Sequence, residues 1–216
     1  KKRQAVKHLK HGQTIIGIGF RQLFHTIKSA RQYPQTMLFL AAYLLYNDGV
    51  QTAMAMAATF GHEELHLGLD VLTTVILIVQ FVAFFGALLF NYVAQKTSGK
   101  TSIIITLIIW IGTCVYAHSF LYTEMQFYWL ASVIALVLGG SQALSRSVFS
   151  LMIPKGSESE YFSLYEISER GTSWLGPLLF GLALQFTNSY RIAILSLILF
   201  FIVGIFLLAR VNVAKA

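Results

Sequence analysis

The chain alternates between long apolar blocks and short polar connections. Six blocks, each 20 to 27 residues long, are mainly apolar. A helix needs about 20 such residues to cross the hydrocarbon core of a bilayer, and these blocks are too long and too continuous for the tilted strands of a membrane barrel. The pattern predicts an all-α membrane protein with six transmembrane helices, at Thr36–Phe60, Leu69–Ala94, Ser102–Leu121, Phe127–Ile153, Tyr161–Thr187 and Tyr190–Ala209.

Composition excludes a soluble class. Hydrophobic residues make up 56% of the 216 positions and charged residues 12%, whereas soluble domains carry about 25% charged residues. The single cysteine, Cys114, allows no disulfide within the chain. We expect no signal peptide, because the basic N-terminal segment lacks a short apolar core with a cleavage site. Since the first residue is Lys1 rather than Met, we expect the sequence to begin inside a longer protein.

Positive charge is distributed unevenly between the two sides of the predicted membrane. Thirteen of the 16 Lys and Arg residues fall in the N-terminal segment, in alternate loops or in the C-terminal tail, and Arg191 is the one base in the opposite loops. Basic loops face the cytosol, so both termini are predicted to be cytosolic. This placement favours a lipid bilayer over nucleic acid as the partner of a chain with net charge +7.

Three regions follow from these patterns. Residues 1–34 form a basic cytosolic linker, residues 35–210 the six-helix bundle, and residues 211–216 a cytosolic tail. Within the linker, apolar residues recur at helical spacing between positions 16 and 27, with basic residues on the other faces. This indicates an amphipathic helix on the cytosolic leaflet; the alternative is a solvated linker helix.

Polar residues near the middle of the predicted spans are the first candidates for function. Asp48 lies about twelve residues into the first span, with Asn47 and Gln51 on the same broad face, and Gln142 lies in the fourth span. A charged residue at this depth costs about 2.5–3.5 kcal/mol on insertion scales, so it faces the bundle interior. We expect these four residues to line a solute or proton pathway. The alternative is that Asp48 is a structural acid bonded to a neighbouring helix.

A second group of charges lies toward the cytosolic ends of the fourth and fifth spans. It contains Arg146, Glu166, Glu169 and Arg170, and Glu166 and Arg170 stand four residues apart in the favourable order. Two acids and two bases at one depth can neutralise each other. They are interpreted as the ion pairs of a cytosolic gate, with permanent structural pairing as the alternative.

Two catalytic patterns are present and neither has a supporting context. His62 to His66 matches the H-E-x-x-H zinc-protease motif, but it lies in a short predicted loop. Ser141 is the one candidate nucleophile for an intramembrane serine protease, and His118 lies toward the opposite end of its span. We therefore expect no enzyme activity, no metal and no cofactor.

Longer motifs carry a family resemblance. They are YNDGVQT at Tyr46–Thr52, GGSQALSRS at Gly139–Ser147, YFSLYEISERG at Tyr161–Gly171 and WLGPL at Trp174–Leu178. With these motifs the chain resembles the C-terminal half of the vacuole-effluxer, autophagy-related permease-like family of the major facilitator superfamily. The resemblance runs from about Gly19 to the end. It implies a twelve-helix fold built from two six-helix halves, so that this bundle lacks an N-terminal partner half.

The resemblance also implies secondary transport by alternating access. Together with the buried charges, it leads us to expect efflux of a small solute such as an amino acid, with a coupling proton. The expected location is the plasma (inner) membrane, with the vacuolar membrane as the alternative. A non-transporting membrane module, or an inactive truncated half of a carrier, is the alternative function.

Overall fold

The computed structural model describes residues 33–153, 156, 158–171 and 174–213, and in the helix over 158–171 the side chains are described as far as Glu166. All but the last two residues of the linker predicted over 1–34, including its amphipathic helix, lie outside this part of the chain. So do the last three residues of the predicted tail.

The described residues fold as an all-α bundle. They form eight helices: α1 Pro34–Leu65, α2 Leu69–Lys96, α3 Gly99–Ser119, α4 Glu124–Leu151, α5 Glu158–Gly171, α6 Leu175–Thr187, α7 Tyr190–Ser196 and α8 Ile198–Arg210. Each predicted span coincides with one or two of these helices to within a few residues. The apolar blocks of the sequence therefore mark the helices of the fold.

Four segments in the described part are long and apolar enough to cross a membrane: α2, α3, α4 and the 21 residues of α7 and α8 together. The helix α1 is longer still at 32 residues, but polar residues at its centre and C-terminus lower its hydropathy. The helix α6 is apolar and has 13 residues. The multi-pass membrane class is thus confirmed, and the count of six crossings stays a prediction.

Local sequence explains where several helices begin. Pro34 occupies the first position of α1, where a missing N–H leaves no hydrogen bond unmade. Thr123 caps α4 in a capping box, in which its side chain accepts from the N–H of Gln126 and the Gln126 side chain accepts in return from the N–H of Thr123. Ser98 caps α3 by accepting from the N–H of Thr101.

The predicted fifth span corresponds to two helices in the described residues. The helix α5 ends at Gly171 and α6 begins at Leu175. Pro177 is consequently the third residue of α6, where its missing N–H is tolerated. The interruption leaves the first N–H groups of α6 without partners in their own helix.

The bundle has two structurally distinct ends. The end that carries Lys96, Lys100 and Arg210 is called the basic end, and it includes the N-terminus of α1 and the C-termini of α2, α4 and α8. The helix α2 packs most extensively on α4, while α8 packs on α1 and α3. These contacts bury an apolar core around Trp110, Phe149 and Phe201.

Candidate functional site

Asp48 lies at the middle of α1 and inside the bundle. It stands 14 residues after Pro34 and 17 before Leu65, or about 21 Å and 26 Å along the helix. Its side chain is 2% exposed. Its Oδ2 atom accepts a hydrogen bond of 2.6 Å from the backbone N–H of Gly176. Its Oδ1 atom is buried and has no hydrogen-bond partner among the described residues.

The bond to Gly176 joins the centre of α1 to the start of α6. Gly176 is the second residue of α6, so its N–H has no acceptor within that helix, and a carboxylate next to a helix N-terminus is favoured by the helix dipole. Thr52 donates to the backbone carbonyl of Asp48 at 2.7 Å. A Cβ atom at Gly176 would lie 2.9 Å from that carbonyl and even closer to Thr52 Oγ1. Only glycine allows this approach.

The polar residues predicted to line a pathway with Asp48 divide into two sets. Asn47 is buried at 4% exposed, next to Asp48. Gln51 is partly buried, and Gln142 on α4 is exposed. Asp48 and Asn47 are therefore buried in the bundle, whereas the two glutamines lie on surfaces that another molecule can reach.

An aromatic cluster lies between Asp48 and the basic end. Tyr43 of α1 stacks on Tyr165 of α5, with ring centroids 4.2 Å apart. Tyr165 contacts Phe149 of α4 at 4.9 Å, and Phe149 stacks on Phe39 of α1 at 6.1 Å. All four rings are at most 2% exposed. Hydrophobic periodicity did not predict this cluster, because the contacts between the rings depend on how α1, α4 and α5 pack against each other.

The residues predicted to form the cytosolic gate lie near this cluster in the chain. The side chains of Arg146 on α4 and Glu166 on α5 are both exposed. The side chains of Glu169 and Arg170 fall outside the described part of the structure, so the four-residue ion-pair group stays a prediction.

The opposite end of the bundle contains an ion pair that sequence analysis did not anticipate. Arg191 Nε donates to Glu64 Oε1 at 2.6 Å. The remaining guanidinium nitrogens donate to the carbonyls of Ala117, His118 and Leu121 at 2.7–3.2 Å. Arg191 thereby connects the start of α7 with the ends of α1 and α3. The sequence did contain one signal for this role: Arg191 is the one Lys or Arg residue in the loops predicted on that side of the membrane.

Glu64 of this ion pair belongs to the zinc-protease motif, so the structure shows which partner this residue of the motif contacts. The expectation that the motif lies in a loop is wrong for His62 to Leu65, which form the last turn of α1. His66 follows the helix with φ 53°, so the two histidines do not share a helix face. Glu64 binds Arg191, and the described residues contain no group of three or more His, Cys, Asp or Glu suited to a metal.

Ser141 shows no arrangement suited to nucleophilic catalysis. It is 2% exposed and donates to the carbonyl of Leu138 in its own helix at 3.1 Å. It lies 17 residues into α4, about 25 Å from the end of the bundle that holds His118. The two residues are therefore far apart.

The fold and its buried carboxylate define a class: an all-α, multi-pass membrane protein with a polar centre. A sequence model of the family described as "Vacuole effluxer Atg22 like" matches residues 1–216. The chain belongs to this family, as the resemblance of its motifs predicted. The family is named for an effluxer, and the Bacillus relative is named a transporter. These names agree with the expectation that the chain is not an enzyme.

Relatives come from bacteria and fungi. The chain is 36% identical over 204 residues to the "Uncharacterized MFS-type transporter YxiO" of Bacillus subtilis (strain 168), covering 94% of this chain and 47% of the relative. It is 31% identical over 200 residues to "Autophagy-related protein 22" of Kluyveromyces lactis, covering 87% and 40%. The protein of that name from Saccharomyces cerevisiae (strain ATCC 204508 / S288c) is 33% identical over 188 residues, covering 82% and 35%. The chain thus spans less than half the length of these relatives.

Proposed function

We propose that this chain forms the C-terminal half of a secondary carrier that moves a small solute, such as an amino acid, across a membrane by alternating access. The transporter names of its relatives and their greater length support this assignment. The observation that carries it is the Oδ1 atom of Asp48, a buried acceptor at the middle of α1 without a described partner. A buried carboxylate is costly unless something pairs with it, so the site suits a proton or the amine of a solute.

Substitution of Asp48 by Asn tests this role. Asn keeps the size of the side chain and an oxygen that can accept from Gly176, but it has no charge and cannot exchange a proton near neutral pH. In the full-length carrier, reconstituted in liposomes, we expect Asp48→Asn to lower solute flux at least about tenfold, the loss of one charge-assisted interaction, and to abolish its dependence on a pH gradient. The matched control is Asp70→Asn, which changes an exposed acid in the first turn of α2. Unchanged flux and pH dependence in Asp48→Asn would remove Asp48 from the mechanism.

Gln51 and Gln142 are proposed to hydrogen-bond the solute. Their accessibility supports this role, since Gln51 is partly buried and Gln142 is exposed. We expect Gln142→Ala to raise the KM for the solute while the maximal rate changes less, as uniform binding requires. If Gln142→Ala instead lowered the maximal rate and left the KM unchanged, a binding role would be contradicted.

The cytosolic gate is proposed to combine the charged group of Arg146, Glu166, Glu169 and Arg170 with the aromatic cluster beside it. Arg146 and Glu166 are both exposed, so neither side chain is held in the packed interior of the bundle. Charge reversal tests it: Arg146→Glu and Glu166→Arg should each reduce transport, and the double reversal should recover part of it. If the double-reversal variant transported no faster than either single variant, direct pairing would be contradicted.

A single half supplies one wall of the pathway. Liposomes that contain residues 1–216 alone are therefore expected to show no saturable solute uptake, and saturable uptake would contradict the assignment as half of a carrier. Failure of the intact carrier to transport any solute of a broad panel would favour a non-transporting module instead.

A further inference from the structure

An open cavity of about 590 Å³, lined by both polar and apolar residues, lies at the basic end of the bundle. Residues at the C-terminal ends of α2, α4 and α8 and at the start of α3 line it. The polar residues that line it include Asn91, Gln95, Ser98, Lys100, Ser147 and Arg210. It is separate from Asp48, which lies at the middle of α1, and none of the residues assigned above to transport lines it.

The charged side chains that line the cavity are basic. Lys100 and Arg210 line it, and its described lining contains no Asp or Glu. Lys100 Nζ donates to the carbonyls of Ala209 and Val211, both at 2.7 Å. An ammonium group has three donors, so one remains for a ligand. The Arg210 guanidinium lies 3.9 Å over the ring of Phe206, and no described acid is paired with it.

The outer side of the cavity is apolar, and the described residues leave it exposed. Leu151, which lines the cavity, is 71% exposed, and Phe206 and Tyr92 beside it are each more than half exposed. These residues lie on or at the ends of helices of a membrane protein, so in the proposed site their exposed surfaces would lie against acyl chains. Arg210 ends α8 and Lys96 ends α2, which puts both bases at the depth of lipid headgroups. The ligand must therefore be anionic at one end and apolar at the other.

We propose that this cavity binds the headgroup of an anionic phospholipid, with Arg210 and Lys100 on the phosphate, the amide and hydroxyl groups on the polar headgroup, and the acyl chains along Leu151 and Phe206. The predicted cytosolic orientation of the basic end agrees with this, because the cytosolic leaflet carries the anionic lipids. The site requires only the membrane class of the protein, so it stands independently of the proposed transport.

The test measures lipid binding to the detergent-solubilised full-length protein by native mass spectrometry, with phosphatidylglycerol as the probe and phosphatidylcholine as the neutral comparison. We expect phosphatidylglycerol to bind more tightly, and Arg210→Gln to weaken it about tenfold, as loss of one charge-assisted hydrogen bond requires. Arg210→Lys should retain most of the affinity, which also shows that position 210 tolerates change. Lys96→Gln is the matched control, since it removes the same charge from a neighbouring helix end outside the cavity lining.

Two results would overturn the proposal. Equal weakening by Arg210→Gln and Lys96→Gln would mean that anionic lipid is attracted by surface charge rather than bound in the cavity. If inorganic phosphate alone raised the melting temperature of the wild-type protein as much as phosphatidylglycerol does, and Arg210→Gln abolished that rise, the cavity would be a site for a free anion.

Discussion

The contact between α2 and α4 gives the sharpest stability prediction. A Cβ atom at Gly139 of α4 would lie 2.7 Å from the carbonyl carbon of Ala83 in α2, and one at Gly86 would lie 2.6 Å from the Cα atom of Leu136. Real Cβ atoms essentially never approach closer than 3.0 Å, and ordinary contact begins at 3.4 Å. Both obstacles are backbone atoms, so no side-chain rotation can relieve them.

Replacement of Gly139 by Ala must therefore move the two helices apart. Measured to the carbonyl carbon, the shortfall between 2.7 Å and ordinary contact at 3.4 Å is about 0.7 Å, and the carbonyl oxygen of Ala83 is closer still, so the required separation is at least this large. A gap of 0.5–1 Å forfeits roughly a quarter to a half of each dispersion contact, and overpacking of a well-packed interface costs about 1–3 kcal/mol. At roughly 2–4 °C per kcal/mol for a chain of this size, the melting temperature should fall by about 2–12 °C.

The single cysteine of this chain provides the assay. Cys114 is 4% exposed, so a thiol-reactive fluorescent dye labels it only as the bundle unfolds. The matched control is Gly181→Ala in α6, where an added Cβ meets nothing within 4 Å. There Ala should be neutral or should stabilise the helix by about 0.5–1 kcal/mol, the opposite sign from Gly139→Ala.

Two further variants separate backbone contact from other causes. Gly86→Ala combined with Gly139→Ala should cost less than the sum of the two, because the first substitution already separates the helices. Ala83→Gly should fail to rescue Gly139→Ala, since the obstacle is the carbonyl group of Ala83 and not its methyl group. A melting temperature of Gly139→Ala equal to or above that of Gly181→Ala would refute the close approach of α2 and α4.

Three other substitutions test single contacts by the same melting assay. Arg191→Gln removes the ion pair with Glu64 and the donors to three carbonyls, and should destabilise the protein by about 2–4 kcal/mol; an unchanged melting temperature would show that these bonds contribute nothing net. Gly176→Ala should destabilise the α1–α6 contact, and Thr52→Ala should recover part of the loss by removing the nearest obstacle; additive effects would contradict that contact. Thr123→Ala removes the cap of α4 and should cost about 1 kcal/mol, and a cost near zero would show that water satisfies the exposed N–H groups equally well.

The sequence by itself determined the class, the placement of the helices and the uneven charge of the two ends. Each of these depends on residues that are adjacent along the chain. An apolar block of sufficient length has to be helical in a bilayer, because the backbone finds hydrogen-bond partners only within its own segment. Pro34 and Thr123 act within one helical turn of the helix starts they define. The family motifs could likewise be recognised from consecutive residues.

Only the tertiary structure decided which distant groups meet. Depth and polarity identified Asp48, but its bond to the N–H of Gly176 spans 128 positions and depends on where α6 begins. The zinc-protease motif was expected to lie in a loop, whereas the structure places His62 to Leu65 in the last turn of α1 and pairs Glu64 with Arg191, 127 positions away. Such pairings come from packing of whole helices against each other, and hydrophobic periodicity specifies which face of a helix is buried without specifying the partner of that face.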